Sequence, residues 1–228
     1  QIRDHHVKVV INNGFAMTEV QQTFYNPNGQ DLEAMYSFPL PKSASLSEVT
    51  IYAGESEING EVLEKQKARQ AYEDEKSRGN EAGLAEKNEF YTFDFKIHPV
   101  PANDETKIRF LYYQPLPIDA GIGRYLYPLE DGSTDDAGIS FWTTNTQVEN
   151  TFSVNLELKS AYPVRDVRLP GFEAAAQISE LAEGHYKVEM QLTDMSLARD
   201  LIFYYRLQDG LPGGVEVIPF RDNGSEPG

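Results

Sequence analysis

Apolar and polar residues alternate with a period of two through most of this chain. Residues 151–158 read TFSVNLEL, in which every second residue is apolar. Side chains of a strand point alternately to opposite faces, so each such segment has one apolar and one polar face. Many short strands of this kind, separated by Gly, Asn and Pro, predict an all-β fold, an antiparallel β-sandwich. Further strands are predicted near residues 7–11, 16–24, 49–53, 91–97, 108–112, 139–141, 186–192 and 201–205.

Residues 33–41, EAMYSFPLP, combine this alternation with two prolines. Ala34, Tyr36 and Phe38 fall on one face of the predicted strand, and Pro39 and Pro41 follow at once. Proline has no N–H to donate to a neighbouring strand. We therefore expect the pairing of this strand to stop at the prolines.

One segment breaks the alternation. Residues 62–79, VLEKQKARQAYEDEKSRG, carry opposite charges four positions apart, and Gly79 can take the left-handed position that ends a helix. The segment predicts one amphipathic helix at about 63–78. Its apolar stripe is narrow, so we expect it to cover the edge or end of a sheet.

The charge of the chain excludes several classes of partner. Its 228 residues include 36 acidic and 20 basic side chains, which gives a net charge of -16. Such a surface repels nucleic acid and anionic lipid headgroups. The chain has no cysteine, and no stretch approaches the roughly 18 apolar residues of a membrane span. It therefore has no disulfide and no thiolate metal site, while the compartment stays open.

A Gly-, Pro- and acid-rich loop at residues 121–138, GIGRYLYPLEDGSTDDAG, is the best candidate for an internal boundary. We expect residues 1–120 to form a first unit and residues 121–221 to form either a second β lobe or a continuation of the same sandwich. Residues 222–228 read as a polar linker. Whether one sandwich or two is built stays open at this point.

The same loop offers the best candidate metal ligands. Asp131, Asp135 and Asp136 provide hard carboxylate oxygens of the kind that calcium prefers. Their spacing does not fit an EF-hand, and solvated turn carboxylates are the alternative interpretation. No other cofactor is expected.

The histidines and the short motifs give little support to catalysis. His5 and His6 are adjacent, so in a strand they point to opposite faces, and near a terminus we expect both to be solvated. His98 and His185 have no companion residue at a triad or zinc-motif spacing. No Walker loop, GxGxxG or GxSxG motif is present. We predict that the chain is not an enzyme.

The aromatic residues are the candidates for binding. The doubled Tyr112 and Tyr113 must send one ring outward if they lie in a strand. Tyr72, Tyr112, Tyr113 and Trp142 are our candidate interaction residues. Aromatic rings also stack on sugars, so a carbohydrate-binding or glycoside-processing sandwich with paired carboxylates is the alternative function.

Three motifs occur in order in the first half of the chain, and a family resemblance rests on them. They are VVINNGFAMTEVQQTFYNPNGQDLEAMYSFPLP, INGEVLEKQKARQAYEDEKSRGNEAGL and FKIHPVPANDETKIRFLYYQPL. Over residues 1 to about 117 they resemble the VIT domain, the module of inter-alpha-trypsin inhibitor heavy chains, of the vault poly(ADP-ribose) polymerase and of bacterial surface proteins. The remainder is similar to the stretch that joins this module to a von Willebrand type A domain in bacterial members.

The resemblance implies a scaffold. We expect a non-catalytic module of an exported bacterial surface protein, located extracellularly or at the cell surface and ending before the type A domain. Its partners would be that adjacent domain and matrix or surface proteins, with a role in adhesion or matrix assembly. The adhesion motif of type A domains needs a second serine that residues 194–198, DMSLA, lack, so metal-dependent adhesion is not expected of this chain itself.

Overall fold

The structure, a computed structural model, describes residues 1–54, 56–58, 61–63, 90–129, 147–197 and 199–208. These residues form sixteen strands and no helix, which confirms the predicted all-β class. The helix predicted at about 63–78 lies outside the described residues, except for its first residue, Leu63, which is the last residue of a short strand. No helix within the described ranges is long and apolar enough to cross a membrane. The strands are β1 (Ile2–Asn12), β2 (Phe15–Tyr25), β3 (Leu32–Pro41), β4 (Ser45–Ala53), β5 (Ser56–Ile58), β6 (Glu61–Leu63), β7 (Phe90–Val100), β8 (Glu105–Pro115), β9 (Ile118–Asp119), β10 (Ile122–Tyr127), β11 (Gln147–Lys159), β12 (Val164–Arg168), β13 (Gln177–Ala182), β14 (His185–Leu192), β15 (Met195–Ser196) and β16 (Leu201–Leu207).

The described strands form three sheets. The largest has nine strands, in the order β13-β14-β11-β1-β2-β8-β4-β5, with β15 also paired to β11. A second sheet has the order β12-β16-β10-β9, and a third the order β3-β7-β6. The neighbouring strands pair antiparallel, as predicted, except at one position in the large sheet.

That exception is the pairing of β1 with β11, which is parallel. Val7 lies opposite Val154 and Val9 opposite Leu156, in a register that is continuous from Asp4 to Asn12, while the other edge of β1 pairs with β2. Parallel neighbours need a long crossover connection, and here 134 residues, 13 to 146, separate the two strands. Strands from both sides of residue 121 therefore lie in one sheet.

The two smaller sheets pack against the inner face of the large one. Phe38 of β3 contacts Phe110 of β8, with ring centroids 4.2 Å apart. From the second sheet, the Tyr125 hydroxyl lies 2.9 Å from the Thr18 hydroxyl of β2. The buried apolar residues of all three sheets form one core. Each large side chain buried there stabilises the fold by about 1.5–3 kcal/mol.

The prolines of β3 do not end its pairing, contrary to expectation. Pro39 lies opposite Thr92 and Pro41 opposite Phe90, so the pairing with β7 continues to the last residue of β3. Among the described strands, β3 is an edge strand with β7 on one side only. The missing N–H groups are tolerated at such an edge, and Tyr36 and Phe38 still reach the core.

Candidate interaction surface

An apolar strip crosses the outer face of the large sheet. On three adjacent strands, Val10 lies opposite Met17 and Met17 opposite Tyr113. Phe15 lies two residues from Met17 on the same face, and Leu111 two residues from Tyr113. Their chain neighbours point inward to the core. We call Val10, Phe15, Met17, Leu111 and Tyr113 the outer apolar strip.

Two members of the strip are strongly exposed. Phe15 has 60% of its surface accessible to solvent, and Tyr113 has 46%. Large apolar side chains that adjoin one another on a surface, rather than scattered singly, mark contact sites for partners. Tyr113 was predicted as an interaction residue, and its exposure fits that role.

Tyr112 is a correction to the predicted interaction surface. It is 0% exposed and packs in the core, with its ring centroid 6.5 Å from that of Phe38. Burial raises the pKa of Tyr112 to about 12, so its hydroxyl stays neutral. The prediction that one ring of the Tyr112–Tyr113 pair faces outward is confirmed, and the outward ring is Tyr113.

Ion pairs border the strip on the β4 side. Arg109 donates to Glu19 at 2.5 Å and to Glu48 at 3.2 Å. Partial burial by itself raises the pKa of Glu19, but the hydrogen bonds from Arg109 and Gln21 outweigh it and hold the pKa below its usual value. The Glu19 carboxylate therefore stays charged, and the strip has a polar rim on this side.

A second group of polar residues borders the strip on the β11 side. His185 Nε2 lies 2.7 Å from Glu157 Oε1, and Lys159 Nζ lies 3.2 Å from the same atom. The hydrogen bonds from His185 and Lys159 hold the pKa of Glu157 below its usual value. His185 thus has an acidic partner, Glu157. The local sequence around His185 did not predict this pairing, because Glu157 lies on the adjacent strand, β11.

The last described residues lie at the end of the sandwich where Phe15 lies. The Tyr205 hydroxyl of β16 donates to the carbonyl of Asn13 at 3.0 Å, in the turn that leads to Phe15. Gln208 N donates to the carbonyl of Pro163 at 2.9 Å, and Ala161 N donates to Asn13 Oδ1 at 2.7 Å. β16 therefore runs toward one end of the outer apolar strip.

Five of the seven candidate site residues predicted from the sequence lie outside the described ranges. These include the calcium candidates Asp131, Asp135 and Asp136 and the aromatic candidates Tyr72 and Trp142. The calcium site stays a prediction. Within the described residues, no three His, Asp or Glu side chains are grouped so that they would hold a metal ion.

A buried polar cluster connects the three sheets on the inner face of the large sheet. Gln22 Nε2 donates to His5 Nδ1 at 2.8 Å, and His5 Nε2 lies 2.7 Å from the Tyr127 hydroxyl. The Tyr36 hydroxyl donates to Gln22 Oε1. Because Nδ1 accepts from Gln22, the ring proton lies on Nε2 and is donated to Tyr127. One residue from each of four strands thus takes part.

The expectation that both histidines are solvated is wrong for His5. His5 is 0% exposed, whereas His6 points to the other face and bonds the Ser153 hydroxyl at 2.7 Å. Their opposite orientation was predicted and is confirmed. Burial lowers the pKa of His5 to about 3, with a smaller contribution from the charge of His6. The neutral His5 ring supports the packing of the sheets.

The strip itself was missed at the sequence level, apart from Tyr113. Phe15 and Met17 fall on the same side of the alternation as Glu19 and Gln21, the polar side of β2. Large apolar residues on the polar side of an amphipathic strand were the available signal. A strand pattern alone does not show that Val10 and Tyr113 extend the same surface across neighbouring strands.

Comparison with known proteins agrees with the resemblance in the motifs. Residues 2–112 match the sequence model of the family described as Vault protein inter-alpha-trypsin domain, abbreviated VIT. This range runs from the start of β1 into β8, and it includes every residue of the strip except Tyr113.

Curated relatives match over longer or similar ranges. A von Willebrand factor A domain-containing protein from Dictyostelium discoideum is 22% identical over 201 residues, 86% of this chain and 20% of that protein. Protein mono-ADP-ribosyltransferase PARP4 from Mus musculus is 28% identical over 123 residues, 54% of this chain and 6% of that protein. The chain thus spans a fifth or less of the length of these relatives.

A solved structure shares the fold. A protein from Legionella pneumophila, provisionally described as nutrient binding, superposes over 90% of this chain and 66% of its own, with a TM-score of 0.56 and 13% identity. At this identity the likeness concerns the fold alone. Residues 2–112 therefore match the VIT domain, and the chain is a relative of proteins that contain von Willebrand factor A domains.

Proposed function

We propose that this chain is a non-catalytic interaction module whose outer apolar strip contacts a von Willebrand type A domain of the same protein. The observation that carries the proposal is the exposure of Phe15 and Tyr113, at 60% and 46%, beside Met17 in one register across three strands. The von Willebrand factor A domains named in the relatives give the class of partner.

The chemistry of the strip suits such a contact. Aromatic residues and Met are enriched at protein interfaces, and the rigid aromatic rings supply contact area at a low entropy cost. The ion pair of Arg109 with Glu19 and the hydrogen-bonded pair of His185 with Glu157 give this centre a polar rim on two sides. An apolar centre with a polar rim is the usual anatomy of a protein interface.

The course of β16 supports the choice of an adjacent domain. Leu207 N donates to the carbonyl of Gly121 at 2.8 Å, and Gln208 is fixed to Pro163 at the end where Phe15 lies. A domain that followed in the same chain would be tethered through Gln208, at this end. Contact within one chain raises the effective concentration of the two surfaces to the millimolar range, so a modest surface suffices.

The wider biological role is part of the same proposal. The module would hold the type A domain in a fixed orientation for adhesion or matrix assembly at the surface of a bacterial cell. Support comes from the motif resemblance to bacterial surface members of the family. An extracellular location, matrix partners and calcium at Asp131, Asp135 and Asp136 are predictions that accompany it.

The experiment measures the shape of the complete protein by small-angle X-ray scattering. The test variant is Phe15→Ser with Tyr113→Ser, which removes the two exposed aromatic rings. The matched control is Ile178→Ser with Leu181→Ser, since these side chains are 41% and 55% exposed on β13. β13 lies four strands from β2, or roughly 19 Å at the usual strand spacing.

The expected result is a larger radius of gyration for the test variant, because the type A domain is released from the strip. The control variant should keep the wild-type value. Equal values for the wild type and both variants would contradict docking at the strip. A complete coding sequence without a type A domain would contradict the choice of partner.

A further inference from the structure

The start of β16 lies beside the start of β1, across the core of the sandwich. His5 Nε2 of β1 lies 2.7 Å from the Tyr127 hydroxyl, and Tyr127 of β10 lies opposite Leu201, the first residue of β16. Gln1 lies at the same end, where its carbonyl accepts a hydrogen bond from Tyr25 N at 2.9 Å. The first halves of β1 and β16, which belong to different sheets, therefore lie at one end of the sandwich.

The end of β16 lies beside the end of β1. The Tyr205 hydroxyl donates to the carbonyl of Asn13, the residue that follows β1, at 3.0 Å. Gln208 comes next at this end, and its N donates to the carbonyl of Pro163 at 2.9 Å. β1 and β16 thus run in the same direction, and residues 1 and 208 lie at opposite ends of the sandwich. The 11 residues of β1 alone span roughly 36 Å at the usual rise per residue.

A force that separates residues 1 and 208 acts along the axis of β1. This strand lies inside the large sheet, with β2 on one edge and β11 on the other, and both registers are continuous from Asp4 to Asn12. The hydrogen bonds to the two neighbours run across the strand, so an axial force loads all of them at the same time. β1 can slide out of the sheet only when both ladders break together.

The same force acts along β16, which is also paired on both edges. β16 pairs with β10 from Leu201 to Arg206 and with β12 from Tyr204 to Leu207. Both pairings are antiparallel, so their hydrogen bonds also lie across the direction of the force. The ladders of β16 are shorter than those of β1, so β16 is the strand that yields first.

The hairpin at the edge of the large sheet offers a different direction of force. Glu183 lies in the turn between β13 and β14. His185, the first residue of β14, lies opposite Lys159, and Lys159 lies opposite Asn12 at the end of β1. Glu183 and Gln208 therefore lie at the same end of the sandwich. A force between them acts across the strand ends and opens the residue pairs one after another.

We propose that this sandwich resists tension applied between residue 1 and Gln208, with β1 and β16 as the two strands that carry the force. A domain tethered through Gln208 would pull on the chain at this point. The force passes through the ladders of β1 and β16, so this function goes beyond docking at the outer apolar strip and does not depend on it. Resistance to force depends on the rate of unfolding rather than on the equilibrium free energy of unfolding.

The experiment stretches single molecules of the 228-residue chain by atomic force microscopy. The chain has no cysteine, so the handles attach to two introduced cysteines. The axial pair is Gln1→Cys with Gln208→Cys, and the matched control pair is Glu183→Cys with Gln208→Cys; all three positions are exposed. Complete extension of the 208 residues between the axial handles gives about 70 nm, which identifies a full unfolding event.

At one pulling speed, we expect the axial pair to need a several-fold higher force than the control pair. The reason is that β16 is loaded over its whole ladder in the first case and from its end in the second. Equal forces for the two pairs would overturn the proposal. Phe15→Ser with Tyr113→Ser should leave the axial force unchanged, and a lower axial force in this variant would overturn the independence from the strip.

Two further variants test whether β16 yields first. Phe203 of β16 and Phe38 of β3 are both buried in the core, so Phe203→Leu and Phe38→Leu should lower the stability in urea by similar amounts. The described pairing of β3 is with β7, not with β1 or β16. We therefore expect the axial force to fall in Phe203→Leu alone, and an equal fall in both variants would overturn the role of β16. Should Phe203→Leu fail to fold, the two handle pairs still decide the proposal.

Discussion

Mild acid should destabilise this protein through His5, which is buried at the junction of the three sheets. The folded state keeps the pKa of His5 at about 3, whereas the same ring in water titrates at 6.5. Between these two values the unfolded chain binds a proton that the folded chain does not, so the free energy of unfolding falls as the pH falls. Above 6.5 both states hold a neutral ring and the effect vanishes.

The size of the stability loss depends on how far the pH lies below 6.5, the pKa of the ring in water. Each pH unit in this window costs about 1.4 kcal/mol, so at about pH 5 the contribution of His5 is a loss of about 2 kcal/mol. Such a loss is a substantial part of the total stability of a folded domain, which is typically about 5–15 kcal/mol. The physical cause is that a charged His5 would have to be desolvated between Tyr127, Gln22 and the ring of Phe152.

Urea unfolding followed by circular dichroism, at about pH 7.5 and about pH 5, measures the effect. His5→Gln keeps a donor and an acceptor but binds no proton in this range, so its loss of stability between the two pH values should be about 2 kcal/mol smaller than that of the wild type. His98→Gln is the matched control, because His98 is exposed. Titration of all other groups is common to the three proteins and cancels in the comparison.

The reasoning would be refuted by equal losses in the wild type and in His5→Gln. Such a result would mean that His5 takes up its proton in the folded state as readily as in the unfolded chain. A reduced loss in His98→Gln as well would show that the effect is not specific to the buried ring.

Two substitutions test the packing of the sheets. Gly123→Ala should lower the free energy of unfolding by about 1–3 kcal/mol, since a Cβ there would collide with the ring of Tyr205. Gly29→Ala is the control: no atom lies near the added Cβ, so this substitution should cost less than about 0.5 kcal/mol. Equal costs of the two substitutions in urea unfolding would contradict the close approach of Gly123 to Tyr205. Leu156→Ala should lower the free energy of unfolding by about 2–5 kcal/mol, whereas Asn155→Ala, at the exposed neighbouring position, should change it little. Hydrogen exchange should show that residues 2–112 and 147–207 unfold together. Separate unfolding of the two ranges would contradict the shared sheet.

Local patterns predicted the inner faces of the strands well. Leu156 and Leu158 of β11, Val188 of β14 and Phe203 of β16 all lie buried on the predicted side. This success has a simple cause: the direction of a side chain in a strand depends only on its position along that strand. The burial of one face then follows from its apolar composition.

Pairing between distant segments was not predictable in the same way. Nothing in the sequence of β1 shows that β11 lies beside it, because the choice of a partner strand depends on the whole fold. The burial of His5 has the same origin, since its partner Tyr127 is 122 positions away in the chain. The prolines of β3 were misjudged because their effect depends on whether the strand lies at a sheet edge.

The candidate site was only partly accessible from the sequence. Tyr113 was recognised because the doubled tyrosine forces one ring outward. Phe15 and Met17 were not recognised, because their importance depends on which residues of the neighbouring strands lie beside them. The strand register places Met17 beside both Val10 and Tyr113. A surface is a property of several strands, and a periodic pattern describes one strand at a time.

The central functional claim is that the outer apolar strip is covered by a type A domain in the complete protein. Hydroxyl-radical footprinting, compared between the complete protein and the 228-residue chain, tests it most directly. The expected result is protection of Phe15, Met17 and Tyr113 in the complete protein, while the exposed Tyr52 and Leu181 react equally in both. Equal reactivity of Phe15 and Tyr113 in the two proteins would contradict the claim.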